Sequence, residues 1–321
     1  MSPRSALRAP RPTETANEFA ADVIAGLAAK PKYLPPKYFY DLTGSGLFDR
    51  ITTLPEYYPT RSELGLLTKH APDIASLFPQ SSALIEFGSG SSRKARILLR
   101  AAASVEAYVP VDISGDFLRE DAARLRRDFP HLSIIPVVAD FTAMSGLPAE
   151  IAAMPRAGFF PGSTIGNFEP HEACAFLRRA AGILGPGSVL IVGIDLEKAP
   201  DILYRAYNDA EGVTAKFNLN LLVRINRELG GNFDLGAFEH HAFYNAERHR
   251  IEMHLASTRR QRVRIGDTIV EFRVGETIHT ENSYKYSVES FQALALGSGW
   301  SPLKVWTDGL FSVHALRLTQ D

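Results

Sequence analysis

Ala83-Leu84-Ile85-Glu86-Phe87-Gly88-Ser89-Gly90-Ser91-Ser92-Arg93-Lys94 is an apolar run that ends in an acidic residue and two glycines, followed by a helical pattern. It reads as a strand, a tight turn and a helix N-terminus. The glycines let a ligand approach the backbone, and the unpaired N–H groups of a helix start favour anions or hydrogen-bond acceptors. Arg93 stands where the dinucleotide fingerprint Gly-x-Gly-x-x-Gly has its third glycine, and no Walker lysine pattern is present. A nucleoside ligand without a pyrophosphate suits such a turn. A plain strand-to-helix connection has the same appearance, so the turn alone does not decide.

The flanking pattern alternates between helix and strand. A helix is expected over 62–76, the first strand over 83–87 and a helix over 92–103. A strand over 105–111 ends at Asp112, and a helix covers 115–127. A third strand, 133–139, ends at Asp140-Phe141. A fourth, 157–160, runs into Pro161-Gly162-Ser163-Thr164-Ile165-Gly166-Asn167-Phe168. A helix over 170–184 precedes a fifth strand, 188–194, that ends at Asp195. Repeated βα units require a parallel sheet with right-handed crossovers, and ligands lie beyond the carboxyl ends of its strands. Glu86, Asp112, Asp140 and Asn167 all fall at such ends.

After Asp195 the rhythm changes. Helices are expected over 199–209 and 213–227, strands over 250–257 and 268–274, and a helix over 288–296. Asp308-Gly309 between the apolar runs 303–306 and 310–318 signals a hairpin. The expectation is an α/β protein: a class I methyltransferase (Rossmann-like) seven-stranded sheet with helices on both faces, plus a second α+β substrate-binding domain. Residues 62–196 and 286–321 would form the methyltransferase domain, and 197–285 would be an insertion. That insertion would be completed by 13–61, after a disordered lead of residues 1–12.

Composition narrows the partners. The chain has 321 residues, is 45% hydrophobic and carries a net charge of −1. This supports a sizeable core and gives no electrostatic footprint for nucleic acid. No apolar stretch is long enough to span a membrane, and Arg4, Arg8 and Arg11 flank no signal-peptide core, so a cytoplasmic protein is expected, taken as a monomer. The single cysteine, Cys174, lies in a helical pattern and reads as a buried small residue in a reducing compartment. His240, His241, His249 and His254 match no zinc spacing, so no metal is expected.

S-adenosylmethionine is the commonest nucleoside ligand without a pyrophosphate. Asp112 can accept bonds from ribose hydroxyls, or merely cap the next helix. Asp140 and Phe141 can take the adenine amino group and the base face, or be a turn Asp beside a core Phe. Lys94 sits where a helix dipole disfavours a cation, which suits a salt bridge to the methionine carboxylate, although solvated surface lysines are common. The 162–168 loop lacks the Asp/Asn-Pro-Pro-Tyr sequence of nucleic-acid amino-methylating enzymes. The tyrosines of Lys37-Tyr38-Phe39-Tyr40-Asp41 and Leu54-Pro55-Glu56-Tyr57-Tyr58-Pro59-Thr60-Arg61 suit either packing under a loop or a pocket for a small polar molecule.

Those two segments, Glu86-Phe87-Gly88-Ser89-Gly90, the 162–168 loop and Thr280-Glu281-Asn282-Ser283 together resemble the L-histidine Nα-methyltransferase family of ergothioneine biosynthesis. The resemblance covers nearly the whole chain. It implies three methyl transfers from S-adenosylmethionine to the α-amino group of histidine, giving the betaine hercynine. It further implies that Tyr40, Gly88, Lys94, Asp112, Asp140 and Phe141 hold the methyl donor. Tyr57, Asn167 and Tyr207, with Gly162, would hold the substrate backbone, Tyr57 and Asn167 orienting the amine. Glu281 and Ser283 would bond the imidazole and Met253 would line its pocket; Asn282 is included, although the family tends to be apolar there. Left open are another aromatic amino acid (tryptophan or tyrosine) or a small amine as substrate, a nicotinamide-dependent oxidoreductase, and a silent binding protein on the same sheet.

Overall fold

The structure is a computed structural model that describes residues 12–318. The expected lead lies outside the described residues except for Pro12, where a helix begins. The chain divides into two compact units. One comprises Pro59–Glu197 and the C-terminal segment from Lys285; the other comprises the described residues up to Tyr58 and Lys198–Tyr284.

The first unit is built on an eight-stranded sheet. In space its order is Trp300–Thr307, Phe311–Leu318, Val189–Asp195, Arg156–Phe160, Ser82–Phe87, Val105–Asp112 and Ser133–Ile134, with Val137–Val138 also paired to Val105–Asp112. The strands from Val189–Asp195 to the Ser133–Ile134 edge run parallel. The terminal hairpin is antiparallel. Eight replaces the expected seven because the edge strand is broken at Pro136, which has no N–H for the ladder. Every residue of Ser82–Phe87 is buried, as a central parallel strand covered on both faces requires. Leu84, Tyr108, Phe159, Ile191 and Val313 from successive strands share one core with Leu98 and Leu125 from the helices Arg93–Ala101 and Gly115–Asp128. Asp308 accepts the N–H groups of Leu310 and Phe311, both at 2.9 Å, and closes the hairpin turn. Cys174, expected to be buried, is partly exposed on the helix Pro170–Leu184.

The second unit holds a four-stranded sheet in the order Lys32–Tyr33, Thr277–Tyr284, Arg250–Ser257, Phe238–Asn245. A separate hairpin pairs Gln261–Ile265 with Thr268–Phe272. Val213–Leu229 packs on Phe238–Asn245 and Arg250–Ser257. The buried Asn218 on that helix donates to the His254 carbonyl at 3.0 Å and accepts from Thr280 Oγ1 at 2.8 Å. Asp41 caps the helix Leu42–Ile51 through Gly44 N–H at 2.7 Å and accepts from Asn220 and Arg227. Tyr38 donates to Asp22 at 2.6 Å. Two motif residues of the N-terminal segment, Tyr38 and Asp41, are therefore structural.

Candidate active site

The loop after Phe87 is closed by its own backbone. Gly88 and Ser89 both donate to the Val111 carbonyl, at 2.9 and 3.0 Å. Gly90 donates to Asp112 Oδ2 at 3.0 Å, and Ser114 donates to Asp112 Oδ1 at 2.9 Å. Gly88 has φ +70°, and a Cβ there would lie 3.2 Å from the Phe141 ring, so only glycine fits without strain. Phe141 packs edge-on against Phe160 at 5.5 Å and Phe176 at 5.7 Å. Asp140 accepts both the N–H and the hydroxyl of Thr142, at 2.8 and 2.5 Å, which turns the chain beside Phe141. The structure thus brings together Gly88, Asp112 and Phe141. Beneath it, Glu86 is 1% exposed and accepts from the Tyr108 hydroxyl. Burial pushes the Glu86 carboxyl up to about 8, against the lowering effect of that bond and of Lys94.

Lys94 lies in the first turn of Arg93–Ala101, as expected, and its ammonium is 2.5 Å from Glu63. Glu63 also accepts the Gly162 N–H at 2.8 and 3.0 Å. The motifs did not point to Glu63, because it stands inside the helix Tyr58–Ala75 with no local signature. Beyond Gly162, Ser163 Oγ accepts the Asp195 N–H at 2.9 Å, and Thr164–Asn167 forms one 3-10 turn that ends at the partly buried Asn167. The end of Val189–Asp195 is further held by the Lys285–Asp195 ion pair, 2.9 Å long and almost completely buried.

In the other unit the expected substrate residues form a chain of contacts. Tyr57 meets Tyr207 at 6.4 Å between ring centres, and the buried Tyr207 hydroxyl donates to Ser283 Oγ at 2.6 Å. Side chains alternate along a strand, so Glu281 shares the face of Ser283 on Thr277–Tyr284. A bulge between His279 and Glu281 sets Glu281 opposite Met253. Asn282 pairs with Glu252 and belongs to the opposite face, so the structure does not bring it together with Glu281 and Ser283. Tyr40, expected at the cofactor, packs edge-on against Phe48 at 5.7 Å and Phe217 at 5.9 Å within this unit. Phe48, which also meets Tyr57 at 6.4 Å, carried no sequence signal.

The opposite face holds a histidine stack. His254 lies against His279 at 4.7 Å with 13° between ring planes, and Phe243 covers His254 at 5.4 Å. Burial lowers the His254 pKa to about 4, which keeps the ring neutral. Burial alone would raise Glu252, but bonds from Arg250, His254 and Asn245 bring it to about 2. Ligand atoms of Glu252, His254 and His279 lie within 4.8 Å of one another, the one group among the described residues that could hold a metal. Imidazole lone pairs lie in the ring plane, however, so two rings face to face cannot both aim at one ion without turning. The cluster escaped the sequence reading because His279 reaches His254 only through strand pairing.

A mostly parallel sheet of this order, with a glycine loop after its central strand and Asp112 at the end of the strand beside it, has the class I S-adenosylmethionine-dependent methyltransferase fold. Residues 19–318 match the family model described as histidine-specific methyltransferase, SAM-dependent. A histidine N-alpha-methyltransferase of Mycobacterium tuberculosis is 43% identical over 296 residues, covering 89% of this chain and 90% of the relative. Ergothioneine biosynthesis protein 1 of Neurospora crassa is 33% identical over 300 residues, covering 89% of this chain and 33% of that longer protein. A 4-dimethylallyltryptophan N-methyltransferase of Claviceps purpurea is 30% identical over 314 residues, covering 89% and 90%. The chain belongs to the histidine-specific, S-adenosylmethionine-dependent methyltransferase family. Among the described residues no helix is long and apolar enough to cross a membrane.

Proposed function

We propose that this protein trimethylates the α-amino group of L-histidine to hercynine, the first step of ergothioneine biosynthesis. The observation that carries the reading is the contact chain from Tyr57 through Tyr207 to Ser283, beside Glu281 and Met253. It joins hydroxyl and carboxylate groups for a polar ring to an apolar wall. The relatives at 43% and 33% identity, by their names, support the substrate and the pathway.

In this reading Gly88, Lys94, Asp112, Asp140 and Phe141, with Tyr40, hold S-adenosylmethionine, whose sulfonium supplies the methyl group. The Gly88 turn leaves room at the backbone, Asp112 accepts ribose hydroxyls, and Lys94 meets the methionine carboxylate. Glu281 accepts an imidazole N–H in a charge-assisted bond, Ser283 supports it, and Met253 lies along the ring. Tyr57, Asn167, Tyr207 and Gly162 position the amino acid backbone. The step is an in-line displacement, so orientation does most of the work. The attacking nitrogen must be neutral, so one proton leaves before each of the three attacks. The last product is a quaternary ammonium with no proton to lose. Asn167 and the Tyr57 hydroxyl orient the lone pair without carrying charge. No step needs a metal or a second chain, so the proposal is of a monomer whose turnover is retained after chelation, with the cytoplasm as its proposed compartment.

The test is methyl transfer to each amino acid in turn, with product masses. Histidine should be the best acceptor and should end with three methyl groups. Equal or better turnover of tryptophan or tyrosine would overturn the substrate.

A further inference from the structure

Glu63 is a buried carboxylate in a helix that otherwise feeds the core. The same helix buries Leu66, Leu67 and Ile74, while Glu63 is 1% exposed. Burying a charge is costly unless it is paired and hydrogen-bonded. Here both conditions are met by two separate elements. The Lys94 ammonium lies 2.5 Å away, and the Gly162 N–H reaches both carboxylate oxygens. A third element makes room: a Cβ on Gly193 would sit 2.1 Å from Glu63 Oε1, so the strand Val189–Asp195 admits the carboxylate only because that residue is glycine. A Cβ on Gly162 would in turn lie 3.3 Å from the Lys94 nitrogen. One carboxylate therefore ties the first turn of the cofactor helix to the start of the loop that ends at Asn167.

We propose that Glu63 is a positioning residue for the methyl donor. It holds the Lys94 ammonium where the donor's carboxylate arrives, and it fixes the Gly162 end of the Asn167 loop. The proposal rests on the assignment of Lys94 to the donor made above. Lys94 stands in the first turn of a helix, where the dipole opposes a cation, and Glu63 offsets that repulsion. A neutral amide cannot replace it. Glutamine would turn an NH2 group toward either the Gly162 N–H or the Lys94 ammonium, a donor facing a donor.

The experiment is calorimetric titration of S-adenosylhomocysteine into the full chain, as wild type, Glu63→Gln, Lys94→Ala and the double variant, with melting followed in parallel. Glu63→Gln should weaken binding about tenfold, the loss expected of one charged hydrogen bond. In the Lys94→Ala background the same change should add almost nothing, because Glu63 acts through Lys94. Glu63→Asp keeps the charge but withdraws it, and should fall between wild type and Glu63→Gln; it replaces the amide variant if that does not fold. Unchanged affinity in folded Glu63→Gln, with Lys94→Ala weakened, would overturn the proposal. A full additional loss in the double variant would overturn it as well, since Glu63 would then act independently of Lys94. Unchanged affinity in Lys94→Ala would instead remove Lys94 from the donor site, and the proposal with it.

Discussion

The loop that follows Phe87 and the strand Thr277–Tyr284 both gather polar groups, but by opposite means. The loop works through its backbone. Gly88, Ser89 and Gly90 are held by the Val111 carbonyl and by Asp112, and Phe141 packs against the one position where a side chain cannot fit. The strand works through side-chain alternation. Glu281 and Ser283 share one face, Asn282 lies on the other, and Tyr207 reaches the first face through the Ser283 hydroxyl. A backbone device suits what the members of a fold class have in common, under the proposed function a nucleoside-bearing donor. Alternating side chains can be exchanged singly, so under the proposed function the strand is where this chain would differ in acceptor from its 30% identical dimethylallyltryptophan N-methyltransferase relative. Closing this contrast, or failing to, is within reach of single substitutions.

The largest effect is expected at the backbone device. Gly88→Val places a β-branched residue at φ +70° and against Phe141, and strain of this kind corresponds to roughly a hundredfold loss of donor affinity, read by calorimetry. Glu281→Ala should leave donor binding intact while kcat/KM for histidine falls about tenfold to a hundredfold. Ser283→Ala removes the acceptor of the Tyr207 hydroxyl and should lower kcat/KM by about fivefold, as one neutral hydrogen bond is worth about 1 kcal/mol. Asn282→Ala, on the other face, should leave histidine kinetics near wild type; a loss as large as that of Glu281→Ala would break the alternation argument.

A pH experiment sharpens the donor side alone. The Glu86 carboxyl rises from 4.5 to about 8 on folding, so the native state holds a proton that the unfolded chain has released. The stability this contributes is present at acid pH and is lost as pH rises through that window. Glu86→Gln has no such proton, so the stability gap between variant and wild type should shift in the variant's favour by on the order of a few kcal/mol between pH 5 and 8. Denaturant melts across the range would show it, and parallel pH profiles would remove Glu86 as the cause.

What could be read from the sequence follows the same division. The glycine turn, Asp112, Asp140 and the Asp308-Gly309 hairpin depend on residues close in sequence, so their local patterns exposed them. The break at Pro136 follows from its missing N–H. The strand Phe238–Asn245 has no sequence signature, because Glu239, His240 and His241 give it no apolar alternation. Asn282 reads together with its sequence neighbours because Thr277–Tyr284 carries no apolar alternation that would separate its faces. Glu63 lies in an ordinary helical pattern, and its partners Gly162 and Gly193 are far along the chain, as is Phe217, which Phe48 meets besides the nearer Tyr40 and Tyr57. No short window of sequence contains the long-range contacts of Glu63. The stack of His254 on His279 has the same origin, because strand pairing alone makes these residues neighbours.

The most direct test offers the full chain S-adenosylmethionine with an equimolar mixture of histidine, tryptophan and tyrosine, and reads every methylated product by mass spectrometry. The account predicts that trimethylated histidine dominates and that methylation lies on the α-nitrogen by fragmentation. Dominant methylation of tryptophan or tyrosine, or of the histidine ring, would contradict it.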